Sequence, residues 1–153
     1  MDKSLFKHCI QISVRSYEID WQGIVHNANY LHYFEVGRIE YLNAIGTDVD
    51  FVTVTSQTRV VLVRNEIDYR APARFKDVIN VYSRVSIIKN SSFVFEGILE
   101  NRKSHEIVAE NLAVHVWLHP VTGKPAPVPE PFRKLVRRYE GKNCVIERPK
   151  IIV

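Results

Sequence analysis

The apolar residues of one segment, Asn27 to Ile45, recur about every 3.6 positions, which is the period of an α-helix that buries one face. An asparagine, Asn27 or Asn29, is suited to cap the start of this helix, and Gly46 follows its end. Gly37 falls in mid-helix, where a glycine costs about 1 kcal/mol relative to alanine. We therefore expect another element to pack very closely against the helix at that position.

The other long patterned segments up to Leu118 have the character of β-strands. They span residues 6–18, 59–69, 78–88, 93–100 and 107–118. The turns predicted at 89–92 and 101–104 are short, so the strands that they join are antiparallel neighbours. One long helix among five strands is typical of an α+β fold. We expect an antiparallel five-stranded sheet wrapped around the central helix, with its outer face and edges covered by a second copy of the chain.

The 153 residues fit a single domain, since one domain usually takes about 100–200 residues. Its core is predicted to run from about residue 6 to 119. Five prolines between residues 120 and 131 predict an extended strap, because proline fits neither a helix interior nor a central strand. The remainder, 132–153, is predicted to hold a short helix at 132–139 and then either a tail or a late edge strand at 144–146.

The 21 lysines and arginines exceed the 17 aspartates and glutamates, and the net charge is +4. Nucleic-acid binding is not expected from so small an excess without clustering on one face. The densest basic cluster lies near the C-terminus and consists of Arg133, Lys134, Arg137, Arg138 and Lys142. We expect it to be a solvated helix face, although it would also suit an acidic carrier protein.

The longest aliphatic run is far shorter than the ~20 residues that span a bilayer. Residues 1–10 have neither the apolar core nor the cleavage site of a secretory signal, so we expect a cytoplasmic protein. Cys9 and Cys144 are far apart in sequence and are expected to be free thiols, as is usual in that compartment. No histidines stand at metal-ligand spacing, and the sequence predicts neither a metal site nor a redox cofactor.

The stretch 17–42 carries a motif: an aspartate, a glycine three residues later, two hydrophobic residues, an Asn-Tyr pair and Phe-Glu-x-x-Arg. In this chain these residues are Asp20, Gly23, Ile24, Val25, Asn29, Tyr30, Phe34, Glu35 and Arg38. The stretch 68–77, a Ser92-Phe93 pair and the proline-rich stretch 124–129 add to it. From about residue 8 to 139 the chain resembles the hot-dog-fold acyl-CoA thioesterases of the 4-hydroxybenzoyl-CoA thioesterase type, which include the thioesterase of the bacterial Tol–Pal cluster.

The resemblance implies a hot-dog fold, a homodimer or homotetramer, and an active site at a subunit interface. It implies a thioester hydrolase that cleaves acyl-CoA to a free acid and CoA. The family's catalytic carboxylate falls on Asp20, as nucleophile or general base, and its carbonyl-binding main-chain amide falls on Asn27. His26 stands one position earlier than the histidine of many relatives, so it either contacts the substrate carbonyl or is only a polar residue at the helix start.

The residues themselves permit this chemistry. A carboxylate can attack a thioester or activate a water molecule, and the free N–H groups of a first helical turn can hold the carbonyl oxygen. Asp20 stands just before the helix, and Gly23-Ile24 lets the loop fold back so that both face one pocket, with Trp21 as an apolar wall. Taken alone, Asp20 fits an ordinary turn residue as well.

Other contacts are open to two interpretations. Tyr30 is expected to line the substrate groove. Lys89, Ser91 and Ser92 either bind the nucleotide part of coenzyme A or form an ordinary hairpin turn. Glu35 and Arg38 are expected to be an i,i+3 ion pair, with Glu35 as catalyst the less favoured alternative.

The sequence leaves three rival functions to compare with an acyl-CoA thioesterase. An acyl-carrier-protein thioesterase would use the basic C-terminal cluster to hold its acidic partner. In a dehydratase of the same fold the helix would begin with a His-Phe-Pro-Gly-like stretch, which this sequence lacks. A non-enzymatic domain would bind acyl ligands or a protein in the same groove. Aromatic, short and long acyl groups all fit the residues that are expected to line it.

Overall fold

The computed structural model describes residues 1–47 and 59–147. Its helices and strands are β1 (His8–Ser13), α1 (Asn27–Ile45), β2 (Arg59–Tyr69), β3 (Val78–Ile88), β4 (Ser92–Asn101), β5 (Ile107–Leu118), α2 (Glu130–Glu140) and β6 (Val145–Ile146). Three-residue 3-10 turns occupy Lys3–Leu5, Ser16–Glu18 and Gly141–Asn143. The prediction of one long helix with an antiparallel sheet is confirmed, and α1 has the predicted bounds.

The sheet runs in the order β1-β3-β4-β5-β2, with all of these neighbours antiparallel. The late strand left open by the sequence exists as β6, which pairs parallel to the end of β3 at Ile87 and Ile88. The described sheet therefore has six strands and not the predicted five. β1 ends at Ser13, earlier than residue 18, because Ser16–Glu18 turns away from the sheet toward α1.

Helix α1 lies on one face of the sheet and joins two hydrophobic clusters. Its first half packs on the cluster around Tyr30, Phe34 and Val81, and its second half packs on the cluster around Tyr41 and Phe95. Between them a Cβ atom at Gly37 would lie 2.6 Å from both Ser83 Oγ and Val81 Cγ1. The expected close approach at Gly37 is therefore confirmed, and the partner is strand β3.

The structure of the C-terminal part differs from the prediction in the start of its helix and in the burial of Arg133. α2 begins at Glu130, two residues earlier than predicted, because Pro131 is tolerated in a first helical turn, where its missing N–H is not needed. Arg133 was expected to be solvated, but it is 1% exposed. Its guanidinium donates to the carbonyls of Val128, Lys89, Asn90 and Glu147, so it ties α2 to the strap and to the β3–β4 turn.

The face of the sheet away from α1 is partly covered by the chain's own N-terminal residues. The Met1 amino group lies 2.6 Å from Glu110 Oε1, and Lys3 forms an ion pair with Glu100. The Phe6 ring contacts Tyr82 edge-on. A second copy was expected on this face, but part of it is already occupied within one protomer.

Candidate active site

The loop before α1 is closed by its own hydrogen bonds and presents Asp20 to a cleft. The Asp20 N–H donates to the Ile24 carbonyl at 2.9 Å, and the Gly23 N–H donates to the Asp20 carbonyl at 3.1 Å. Gly23 has φ +78°, a left-handed conformation that favours glycine and lets the chain fold back as predicted. The Gln22 N–H donates to Asp20 Oδ1 at 2.8 Å. Asp20 Oδ2 has no hydrogen-bond partner among the described residues and remains available to a ligand.

The start of α1 lies on the same cleft. His26 is the N-cap, and its Nδ1 accepts from the Ala28 N–H at 3.1 Å, while the Asn29 N–H donates to the His26 carbonyl at 2.9 Å. The asparagines expected to cap the helix instead lie in its first turn. In the described part of the chain the Asn27 N–H has no acceptor, so it is the free donor of this turn. Because Nδ1 is engaged, His26 has only Nε2–H to offer a substrate.

The cleft between this loop and the end of β2 has a volume of about 670 Å³. Asp20, His26, Asn27 and Tyr30 all line it, together with Trp21, Gln22, Ile24, Val25, Tyr69, Arg70, Ala71 and Pro72. Four of the predicted site residues thus come together at one place. Trp21 was expected to form a wall, but its side chain is 91% exposed, so in one protomer it stands at the rim.

Tyr30 and Tyr69 fix the far wall of the cleft. The Ala73 N–H donates to the Tyr30 hydroxyl at 3.1 Å, and the Tyr69 hydroxyl donates to the Asn27 carbonyl at 3.2 Å. The two rings also meet edge to face at 5.5 Å. Arg70 lines the cleft and pairs with Glu110 at 2.9 Å, whereas Arg74 lies outside it.

A buried carboxylate behind the cleft holds the loop and the helix together. Glu18 is 4% exposed, and its carbonyl accepts from the His26 N–H at 2.9 Å and from Asn29 Nδ2 at 3.0 Å. Its carboxylate accepts from Tyr33 Oη at 2.6 Å and from Arg15 N at 2.8 Å. Burial raises the pKa of the Glu18 carboxyl, but the hydrogen bonds from Arg15 and Tyr33 outweigh burial and hold the pKa below its usual value.

Neither Glu18 nor Tyr33 was singled out from the sequence. Tyr33 stands three positions after Tyr30 and so faces the same side of α1. A buried tyrosine hydroxyl needs a hydrogen-bond partner, and this need was the signal in the sequence that could have pointed to Tyr33. The sequence does not identify Glu18 as the partner, because that depends on how the loop folds back.

The predicted coenzyme A contacts Lys89, Ser91 and Ser92 lie elsewhere in the protomer. They belong to the turn held by Arg133, next to the cluster that packs on the second half of α1. Asp20 precedes the first turn of α1, and a helix of 19 residues is about 28 Å long. One protomer therefore does not bring the turn and Asp20 together.

Glu35 and Arg38 do not form the expected ion pair. Among the described residues no carboxylate lies within 4.0 Å of the Arg38 guanidinium, which donates to Asn111 Oδ1 at 3.3 Å. Glu35 is exposed and does not line the Asp20 cleft. The geometry therefore gives no support to Glu35 as the catalyst in that cleft.

Within residues 1–47 and 59–147 no group of three or more histidine, cysteine, aspartate or glutamate side chains is arranged to hold a metal ion. No helix in these ranges is long and apolar enough to cross a bilayer. Cys9 and Cys144 are both free thiols, as predicted.

Comparison with known proteins identifies the family. The family model described as the thioesterase-like superfamily matches residues 14–136. A thioesterase from Thermus thermophilus, crystallised with coenzyme A and zinc, is 32% identical, with a TM-score of 0.76 over 89% of this chain and 96% of that chain. The acyl-CoA thioesterase YbgC of Haemophilus influenzae is 34% identical over 52% of this chain and 58% of its own length.

A second kind of relative acts on another carrier. The chloroplastic acyl-acyl carrier protein thioesterase ATL3 of Arabidopsis thaliana is 29% identical over 72% of this chain. The match spans 58% of the length of ATL3. Because the family model covers most of the chain and the cleft lies within the matched range, the chain belongs to the thioesterase-like superfamily, which has the hot-dog fold.

Proposed function

We propose that the protein is an acyl-CoA thioesterase that hydrolyses a thioester to a free carboxylic acid and CoA. The observation that carries the proposal is that Asp20 Oδ2 and the Asn27 N–H, neither of which has a partner among the described residues, line one cleft. Relatives of both carrier classes are named thioesterases, which supports the reaction class.

In this account the thioester carbonyl oxygen accepts the Asn27 N–H, at the positive end of the α1 dipole. The donor stabilises the negative charge that develops on that oxygen, a contribution of about 2.7–4 kcal/mol where one such donor has been removed. The Nε2–H of His26, whose Nδ1 caps the helix, is a second donor on the same cleft.

Asp20 serves as nucleophile or as general base. As nucleophile, its carboxylate attacks the carbonyl carbon, the C–S bond breaks, CoA leaves as a thiolate, and water hydrolyses the resulting anhydride. As general base, Asp20 takes a proton from water while the water oxygen attacks the carbonyl carbon; the C–S bond then breaks, and the proton passes to the departing CoA sulfur. Both routes need one carboxylate oxygen free of internal hydrogen bonds, and Oδ2 accepts none from the described residues.

A second copy of the chain completes the site in this proposal. Lys89, Ser91 and Ser92 lie too far from Asp20 within one protomer, so they reach the coenzyme A of a partner's cleft. The edge strand β2 has apolar side chains for such a contact, since Val61, Leu62 and Val63 are 38%, 46% and 57% exposed. We therefore propose a homodimer at least, with a homotetramer as the larger alternative.

The test is thiol release from a panel of acyl-CoAs that runs from benzoyl and hydroxybenzoyl to short and long aliphatic chains. The proposal predicts turnover of at least one class. Binding without thiol release across the panel would contradict it and favour a domain that only binds acyl ligands.

Because both cysteines are free thiols, we propose the cytoplasm as the compartment.

An acyl-carrier-protein substrate is the second candidate, since ATL3 is named for that activity. Four exposed basic residues of the C-terminal region would meet the acidic carrier, namely Lys134, Arg137, Arg138 and Lys142. Salt screens exposed charges, so turnover of the carrier-linked substrate would fall steeply with ionic strength while turnover of acyl-CoA would not. Equal salt dependence for both substrates would count against a carrier-protein role for these residues.

A further inference from the structure

Arg133 of α2 is a buried cation without a counter-ion in the described part of the chain. Its side chain is 1% exposed, and no carboxylate oxygen of the described residues lies within 4.0 Å of its guanidinium. Two hydrogen bonds hold it in place, from Nε to the Val128 carbonyl and from Nη1 to the Glu147 carbonyl, both at 3.0 Å. Because an unpaired charge is costly to bury, the interior at this point favours a nearby anion.

The remaining guanidinium nitrogen of Arg133, Nη2, contacts the turn between β3 and β4, residues 89–92. It donates to the Lys89 carbonyl and, at 3.0 Å, to the Asn90 carbonyl. The next carbonyl along the turn, that of Ser91, accepts from the Trp117 N–H at 2.8 Å. Three successive carbonyls of the turn are therefore engaged within the protomer, two of them by the same guanidinium.

Several donors of the same turn have no acceptor. Lys89 is exposed, and its ammonium group has neither an ion-pair nor a hydrogen-bond partner among the described residues. Within residues 1–47 and 59–147 the hydroxyls of Ser91 and Ser92 and the Ser91 N–H have none either. A turn with engaged carbonyls and unused ammonium, hydroxyl and N–H donors is suited to bind a phosphate.

We propose that Arg133 is a positioning residue for coenzyme A, which fixes the β3–β4 turn so that the donors of Lys89, Ser91 and Ser92 bind a phosphate of the nucleotide part. This inference rests on the proposed function, in which the turn reaches the coenzyme A of a partner's cleft. Arg133 then supports substrate binding at the site of the other protomer without touching the substrate. Its charge, buried behind the turn, favours the same anion through space.

The first test compares two thioesters of one acyl group: the acyl-CoA, and the N-acetylcysteamine thioester, which lacks the nucleotide and every phosphate. Arg133→Lys keeps the charge but replaces the planar fork by a single nitrogen with three donors. KM for acyl-CoA is expected to rise roughly tenfold or more, as the loss of one charge-assisted hydrogen bond predicts. Its kcat, and kcat/KM for the short thioester, should stay close to the wild-type values.

Arg102→Lys is the matched control, the same change at an exposed arginine of the β4–β5 turn, and should leave both substrates unaffected. Thermal unfolding of the two variants shows whether the fold is retained. A loss in Arg133→Lys that is equal for the two thioesters would mean that Arg133 serves only the stability of the protomer, and it would overturn the proposal.

A double-mutant cycle tests whether Arg133 acts through the turn. Lys89→Met removes the exposed ammonium group and should raise KM for acyl-CoA at an unchanged Tm. In Arg133→Lys/Lys89→Met, KM should be little higher than in the more affected single variant, because the effects of linked residues are not additive. Increases in KM that multiply in the double variant would show independent action and overturn the assignment.

Two measurements without turnover separate this inference from the proposed reaction. Calorimetry with free CoA should show binding by the wild type and by Arg102→Lys, and weaker binding by Lys89→Met and Arg133→Lys, even if no thioester is hydrolysed. In the isotope-labelled wild type, CoA should shift the NMR signal of the Arg133 Nε–H, which donates to the Val128 carbonyl, and not that of Arg102. This second measurement needs no variant, so it decides the matter if Arg133→Lys does not fold. Absence of CoA binding by the wild type, or an Arg133 signal that does not move at saturation, would overturn the proposal.

Discussion

The Tyr33 hydroxyl donates to the Glu18 carboxylate at 2.6 Å, inside the protein and directly behind the candidate active site. Tyr33 belongs to α1 and Glu18 to the 3-10 turn before the Asp20 loop. The Glu18 carbonyl also accepts from the first turn of α1. The bond therefore fixes the position of the Asp20 loop relative to the helix N-terminus.

Tyr33→Phe removes this bond and leaves the Arg15 N–H as the one donor to Glu18 Oε2 within the described part of the chain. We expect a loss of about 1.5–3 kcal/mol in the free energy of unfolding, the usual effect for a hydrogen bond to a charged group. We also expect a lower kcat, because Asp20 and the Asn27 N–H are less firmly placed. Urea unfolding and thiol-release assays measure the two effects.

Tyr17→Phe is the matched control, since Tyr17 is 77% exposed and its hydroxyl has no hydrogen-bond partner among the described residues. It should behave as the wild type does. A Tyr33→Phe protein as stable and as active as Tyr17→Phe would show that the bond does not hold the site.

The role of His26 as N-cap predicts a particular pattern of substitutions. His26→Ala should cost about 0.5–2 kcal/mol in unfolding free energy, because the Ala28 N–H loses its acceptor. His26→Asn supplies another good capping side chain and should restore stability, but its activity should stay below that of the wild type because the Nε2–H donor is lost. Wild-type activity in His26→Asn would show that the imidazole only caps the helix.

Gly37→Ala should destabilise the protein although alanine is the better helix former. The added Cβ would lie 2.6 Å from Ser83 Oγ and Val81 Cγ1. Overpacking of this kind usually costs about 1–3 kcal/mol, against a gain in helix propensity of about 1 kcal/mol. Thermal unfolding should show a lower Tm, with partial recovery in Gly37→Ala/Ser83→Ala. A raised Tm for the single variant would contradict the close packing of α1 on β3.

Glu140 predicts a pH dependence of stability. It is 1% exposed, its Oε1 accepts from the Tyr41 hydroxyl at 2.7 Å, and its Oε2 has no partner among the described residues. Burial, only partly opposed by the bond from Tyr41, raises the pKa of this carboxyl in the folded state. Protonated Glu140 therefore stabilises the folded state fully at a pH below about 4.3, the carboxyl pKa in the unfolded chain. This stabilisation is lost as the pH rises through the higher pKa of the folded state.

Glu140→Gln removes this titration and should become more stable relative to the wild type as the pH rises. Urea unfolding at several pH values measures the difference. Glu130→Gln, the same substitution at a half-exposed carboxylate on the same helix, is the matched control. A stability difference between Glu140→Gln and the wild type that stayed constant with pH would mean that Glu140 does not titrate in the folded protein.

Local patterns in the sequence were enough to place α1 and the hairpins. Apolar spacing and Gly46 gave the bounds of α1, and the short polar turn at residues 89–92 gave an antiparallel pair. The N-cap was assigned to the wrong residue because histidine, through Nδ1, accepts a hydrogen bond as asparagine does. The choice among neighbouring capping residues depends on the entry of the loop, which sequence spacing does not fix.

Long-range contacts account for the other differences. Arg133 looked like one of several solvated bases, yet the strap and the β3–β4 turn supply carbonyl acceptors that bury it. The motif placed Asp20 and Asn27 correctly on one cleft, because both are close to the start of α1 in sequence. The position of Lys89 relative to Asp20 depends on the whole sheet, and in one protomer the two lie near opposite ends of the helix.

The central claim is that the Asp20 carboxylate performs or activates the attack on a thioester. The most direct test is CoA release by Asp20→Asn, which keeps a side-chain oxygen for the Gln22 N–H, beside Glu106→Gln, the same change of carboxylate to amide at an exposed turn outside the cleft. We predict that Asp20→Asn retains the wild-type Tm and loses most of its kcat, while Glu106→Gln keeps both. Turnover by Asp20→Asn at the wild-type rate would contradict the mechanism.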